Sequence, residues 1–177
     1  MYFSKIAVVF SLAASALALP TLVDKPKHKR AGVLTVQDYA DFQISDGVAG
    51  NALAEVAEKF PIDESDLANV DPDDLDIIKA ARVTAEAAET DAGGFNDALE
   101  DATGDAADAL QVGKIKNKVL KLKLEVLALQ IDQAINGSDN ADKIAEEQTK
   151  LDKNVATDTA SAGDASQSVD FQGDDSP

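Results

Sequence analysis

The sequence predicts an all-α fold: a single-domain bundle of four or five helices around one long central helix, with a disordered acidic tail. Three observations point there. Apolar residues recur at helical spacing in each segment between residues 35 and 155. Helix start and stop signals bound them, notably Asp71-Pro72, Gly93-Gly94 and Asn136-Gly137. No alternating strand pattern competes, because the valines and isoleucines sit among Ala, Leu, Lys and Glu, and aromatic residues make up only 5% of the chain.

The first segment, "MYFSKIAVVFSLAASALALP", has a basic start at Lys5, a short apolar run and small residues at its end. That pattern predicts a secretory signal peptide, residues 1–18, cleaved after Ala18, with Ala16 as the competing position. Its apolar run is too short to span a bilayer. The dozen residues 19–30 are basic, contain proline and end in Lys29-Arg30. They read as a propeptide removed at that dibasic pair, against the blander reading of an uncut linker.

The domain then occupies residues 31–160. Of the chain's 16 basic residues five precede residue 31, and of its 33 acidic residues one does, which leaves 11 and 32 and a net charge of −21. Such a charge opposes binding to nucleic acid or anionic lipid. The catalytic inventory is equally thin. The one histidine, His28, lies in the propeptide and there is no cysteine, so no Cys-His or Ser-His-Asp arrangement can form in the domain, and no catalytic, metal-binding or cofactor-binding residue is assigned. Carboxylate pairs alone could run hydrolysis, but a sugar cleft needs aromatic platforms and only Tyr39, Phe42, Phe60, Phe95 and Phe171 remain.

Taken in order, Thr35 and Asp38 make a capping-box-like start, and Leu53, Val56 and Phe60 form a stripe ended by Pro61. Tyr39, Phe42 and Val48 are expected to face the same core. Asp71 caps the next helix, with Pro72 at its first position and Asp73 and Asp74 in its first turn. Leu75, Ile78, Arg82, Ala85 and Glu89 run along it. The same acids superficially resemble a calcium loop, but the glycine and glutamate such a loop requires are missing.

A third section bends near Gly104, with Gly113 a second candidate break, and then runs to Ile135, about 46 Å of helix from Asp105 at 1.5 Å per residue. A turn at Asn136-Gly137, a cap at Ser138 or Asp139 and a last helix with the thin stripe Ile144, Leu151, Val155 follow. Residues 161–177 have little to bury and are expected to be disordered. Asn136-Gly137-Ser138 is the one N-glycosylation sequon of the chain beyond residue 30; it is equally a turn-favouring Asn-Gly pair, and both readings stand.

The densest stretch, "GKIKNKVLKLKLEVLALQI", weaves five lysines through aliphatic residues. On a helical wheel Ile115, Val119, Leu122, Val126 and Leu129 form one face, and Leu120, Leu124, Leu127 and Ile131 a second. Lys116 and Lys123 fall in one seam between them, and Lys114, Lys118 and Lys121 in the other. A membrane-surface helix would gather its lysines opposite a single apolar face. Two apolar faces suit a central helix packed on both sides.

The stretches "TVQDYADFQISDGVAGNALAEVAEKFP", "DLDIIKAARVTAEAAET" and "GKIKNKVLKLKLEVLALQI" together resemble a family of fungal small secreted proteins, mainly of filamentous ascomycetes. The resemblance covers nearly all of the chain from residue 31. It implies secretion, an all-helical domain and a role as an effector or cell-surface protein during contact with a host or substrate, and it supplies no catalytic residues. The leading expectation is therefore a secreted, non-enzymatic protein that binds an extracellular partner at a host or cell wall. The alternative is a binder of lipid or hydrophobic surfaces, with an apolar cavity opened between Leu120, Leu124 and Leu127, against the blander reading that the same spacing is ordinary packed core. A carboxylate-dependent hydrolase comes third.

Overall fold

One helix, α5 (Asp105–Asn136), is 32 residues long and organises the rest. At 1.5 Å per residue it extends about 48 Å. The computed structural model describes residues 31–177. Around α5 lie a single turn α1 (Tyr39–Phe42), then α2 (Ala52–Lys59), α3 (Pro72–Thr90), α4 (Phe95–Asp101) and α6 (Ala141–Ala160). A short 3₁₀ turn at Leu67–Asn69 links α2 to α3. The described residues thus form a five-helix bundle with an added one-turn segment, and α5 packs against both α3 and α6.

Both apolar faces of α5 are used. Val119, Leu122 and Val126 are buried on one, and Leu120, Leu124, Leu127 and Ile131 on the other. They share a core with Tyr39, Phe42, Val56, Phe60, Ile78, Ala81, Ala85, Ala88 and Leu151. The alanines of α3 let the two long helices approach closely, because a methyl group needs little room between backbones. Edge-on aromatic contacts, Tyr39 to Phe42 at 5.5 Å and Phe42 to Phe60 at 6.0 Å, fix the α1–α2 corner. A buried polar pin crosses the core: the Tyr39 hydroxyl donates to Asn117 Oδ1 at 3.0 Å, and Asn117 Nδ2 donates to the Ala85 carbonyl at 2.7 Å. Burial raises the Tyr39 pKa to about 12.

The helix boundaries follow local chemistry in part. Asp71 caps α3 by accepting the Asp73 N–H at 3.0 Å, with Pro72 at the first position. Gly137 ends α5 in the left-handed conformation that an αL-type stop requires, and Gly104 precedes its first residue, also with positive φ. Elsewhere the local signals mislead. Residues 31–37 form no helix or strand, and the position before α1 is held by Asp38 rather than Thr35. Helix α6 begins at Ala141 rather than after Ser138 or Asp139, because Asn140 turns its side chain back to the Leu129 carbonyl and Asp132. Val48 and Leu53 point outward, 52% and 41% exposed.

The largest departure is the tail. Residues 161–177 belong to the fold, and the domain does not end at 160. β2 (Ala165–Ser166) pairs antiparallel with β1 (Gly47–Val48). Gln167 N–H donates to the Ala109 carbonyl of α5, and Tyr39 N–H donates to the Gly173 carbonyl at 2.7 Å. Asp38 bridges Asp174, and Asp175 is fully buried. Phe171 packs edge-on against Tyr39 at 5.8 Å. The physical reason is that the tail is held mainly by backbone hydrogen bonds and one aromatic anchor, so it needs few apolar side chains of its own. Gly113 breaks nothing; it is the point where this tail crosses α5.

Candidate functional site

Two surface depressions meet along the outer side of α3. The larger, about 650 Å³, lies between α3 and the C-terminal segment, with Asp76, Lys79, Ala80, Val83, Thr84, Gly173 and Asp174 among its walls. The second, about 380 Å³, lies between α3 and α5 and is lined by Lys79, Arg82, Val83, Glu125, Ala128, Leu129 and Asp132. Lys79 and Val83 border both. Val83 is 56% exposed, so a branched apolar side chain stands at the junction of two concavities.

Helical phase puts these groups there. Lys79 and Val83 lie four residues apart on α3, and on α5 Ala128 and Leu129 lie three and four residues from Glu125 and four and three from Asp132, so each set shares one helix face. The floor is apolar, from Ala80, Val83, Ala128 and Leu129. The rim is mixed, and carboxylates outnumber cations. Arg82 is already engaged by Glu125 and, at 3.4 Å, by Glu86. Lys79 is held only loosely, 3.9 Å from Asp76. Asp132 has its pKa lowered by side-chain hydrogen bonds from Ser138, Asn136 and Asn140, which keeps it charged.

A third, polar groove of about 290 Å³ lies where α3, α5 and α6 meet. In it and beside it the lysines of α5 and α6 answer buried acids. Glu89 receives Lys118 at 3.0 Å and Lys121 at 2.8 Å. Burial alone would raise the Glu89 pKa, but the hydrogen bonds from Lys121 and Lys118 outweigh it and the net shift is downward. Glu147 follows the same pattern: burial opposes its charge, and Lys143 and Lys150 restore it, with a lowered pKa overall. These are closed ion-pair networks with their charges mutually satisfied.

The α5 lysines divide by environment. Lys116 is fully buried, and its ammonium donates to the Asp46 and Val48 carbonyls at 2.8 and 3.1 Å and pairs with Glu55 at 2.9 Å. Lys123 pairs with Glu64 at 2.6 Å, and Lys114 donates to Asn96 at 2.6 Å. Each lysine therefore ties α5 to a neighbouring segment.

Leu120, Leu124 and Leu127, the alternative lining of an apolar cavity, are packed core. Those side chains are 0, 0 and 2% exposed within the main cluster, because α3 and α6 close on α5 from both sides. Ligand-sized space lies beside the spine instead, over Val83 and Leu129. Sequence periodicity missed this, since the exposed Val83 looks like any other aliphatic residue on α3. Asn136 is exposed at the α5 terminus and donates to Asp132 Oδ1 at 2.8 Å, in the predicted turn. The processing residues Ala18, Lys29 and Arg30 lie outside the described residues.

Among the described residues no group of three or more His, Cys, Asp or Glu side chains could hold a metal ion, and no helix is long and apolar enough to cross a membrane. No curated protein and no solved structure matches the chain. One family model does match, over residues 34–170, from just before α1 into the C-terminal segment. The chain belongs to the family described as domain of unknown function DUF8454.

Proposed function

We propose that this is a secreted, non-enzymatic binding protein, effector-like or wall-associated, that engages its extracellular partner through the paired depressions on the outer side of α3. The observation that carries the reading is Val83, exposed over an apolar floor of Ala80, Ala128 and Leu129 between rims rich in carboxylate. With a net charge of −21 over residues 31–177, long-range steering selects a cationic partner. The occupant fitting both facts is a basic amphipathic segment, its apolar side chains over Val83 and its cations toward Asp76, Glu125, Asp132 and Asp174. A fungal origin and the effector role rest on the resemblance of the three sequence stretches alone.

The test is binding of a synthetic basic amphipathic peptide to the purified protein, with Val83→Asp as the disabling variant. Binding that weakens at least tenfold in the variant, and weakens with added salt, supports the reading. Equal binding by both proteins contradicts it. No turnover is expected on a glycan and peptide substrate panel.

A second reading, a binder of lipid or hydrophobic surfaces, is favoured by the volume of the α3–α5 depression, about 380 Å³, within the range of small-ligand pockets. Its site would be Val83, Ala128 and Leu129 rather than the interior leucines. Native mass spectrometry after incubation with fatty acid checks it: an adduct lost in Val83→Asp supports it, and no adduct removes it.

A further inference from the structure

We infer that residues 169–177 are a displaceable strand seated in a groove between residues 33–39 and α3, and that the groove accepts in their place an extended basic peptide. The inference rests on the proposed function only for the basic character of the partner.

The groove is shaped for a strand. On one side the Tyr39 N–H donates to the Gly173 carbonyl at 2.7 Å and the Asp175 N–H donates to the Gln37 carbonyl at 3.1 Å, which sets Asp38 directly across from Asp174. On the other side the Thr84 hydroxyl of α3 donates to the Asp174 carbonyl at 2.5 Å. The wall opposite α3 has anchors of its own. The Asp74 carboxylate accepts the Val33 N–H at 3.0 and 2.9 Å and the Leu34 N–H at 2.9 Å, and Tyr39 is buried beside Phe42. None of these anchors involves the tail.

The resident strand fits poorly by charge. Asp174 stands opposite Asp38, and like charges directly across a strand pair destabilise it. Asp175 is fully buried; its Oδ1 accepts the Gln37 N–H at 2.6 Å, but its Oδ2 has no hydrogen-bond partner among the described residues. Burying a carboxylate so incompletely satisfied is unfavourable. Little apolar burial offsets it, since Phe171 is the one residue of 169–177 packed against the main core cluster and is itself only partly buried.

Backbone hydrogen bonds hold any strand of suitable shape, and the side chains then select among strands. A cation at the Asp174 position would meet the Asp38 carboxylate. An amide at the Asp175 position would still accept the Gln37 N–H without burying a charge. Position 173 must stay small, because an added β-carbon there would sit 2.9 Å from the Thr84 methyl group. The fitting peptide therefore carries an aromatic residue, then glycine two positions on, then a cation and an amide. The resident tail competes with it at high effective concentration, because it is tethered at Ser168, whose N–H donates to Asp46 Oδ1 at 2.9 Å.

The probe is a synthetic peptide copying residues 169–177 with Asp170→Lys, Asp174→Lys and Asp175→Asn, added to the purified protein at pH 7 and followed by calorimetry and amide exchange. Binding should speed exchange of the protein's Asp175 amide while the Tyr39 amide stays protected, now by a peptide carbonyl. Truncation after Ser168 should tighten binding at least tenfold. Asp175→Asn in the full chain improves the resident strand and should weaken binding at least threefold, which keeps the test open if the truncated chain does not fold. Binding that leaves the Asp175 amide protected, an affinity that Asp175→Asn does not lower, or no binding at all would overturn the inference without touching the depressions over Val83. Release of the Asp175 amide in Val83→Asp as in wild type would sustain it even if those depressions bind nothing.

Discussion

A β-carbon placed on Gly113 would lie 2.0 Å from the carbonyl oxygen of Gln167. The C-terminal segment thus crosses α5 at the one residue without a side chain to obstruct it, and the Gln167 N–H bonds to the Ala109 carbonyl one turn away.

Gly113→Ala should destabilise the protein by about 1–3 kcal/mol, the usual range for overpacking, because the obstructing atom is backbone. In a chain truncated after residue 163 the penalty should fall to under about 1 kcal/mol, since only the Ser45 carbonyl oxygen, 3.1 Å from the added β-carbon, still crowds it and alanine is the better helix former. Thermal melts of the four proteins check this. A penalty of equal size in the truncated chain would mean that the tail is not its cause.

Lys116 and Lys123 fall in the same seam of α5 on a helical wheel, yet their substitution should differ. Lys116→Met removes a buried ammonium from two backbone carbonyls and Glu55, and a loss of about 2–4 kcal/mol is expected. Lys123→Met breaks a pair with a half-exposed Glu64, and under about 1 kcal/mol is expected. Chemical denaturation of both variants measures the contrast.

That contrast also marks the limit of what could be read from sequence. The bundle, the two-faced spine and the Asp71 cap were legible because their signals are local: periodicity along one helix, or an acid two residues from the N–H it caps. Lys116 differs from Lys123 only because β1 and its turn fold over it from 68–70 residues away. The tail was misread for the same reason. Its ties, such as the Asp175 N–H to the Gln37 carbonyl across 138 residues, are backbone contacts that leave no compositional trace. Val83 was invisible as a site element because its meaning lies in what α5 and the tail leave uncovered beside it.

Asp175 gives a pH signature opposite to that of Glu89. Burial raises the Asp175 pKa, and its Oδ2 has no hydrogen-bond partner among the described residues. A carboxyl whose folded pKa lies above its unfolded value of 3.8 costs stability once pH exceeds the folded pKa, and that cost disappears as pH falls toward 3.8. Glu89, with its pKa lowered from 4.5, contributes stability above that value that is lost as pH falls through its folded pKa. Asp175→Asn should therefore be more favourable relative to wild type at pH 7 than at pH 3.5, and Glu89→Gln the reverse. Melting temperatures at the two pH values check both signs.

The most direct measurement of the proposed binding surface is an NMR titration of the ¹⁵N-labelled protein with the basic amphipathic peptide. Amide shifts confined to Lys79–Thr84, Ala128, Leu129 and the Gly173–Asp174 segment are expected. Shifts centred on a different acidic surface, such as the one formed by Asp105, Asp108 and Asp164, or no shifts at all, would contradict the assignment of the outer side of α3 as the binding site.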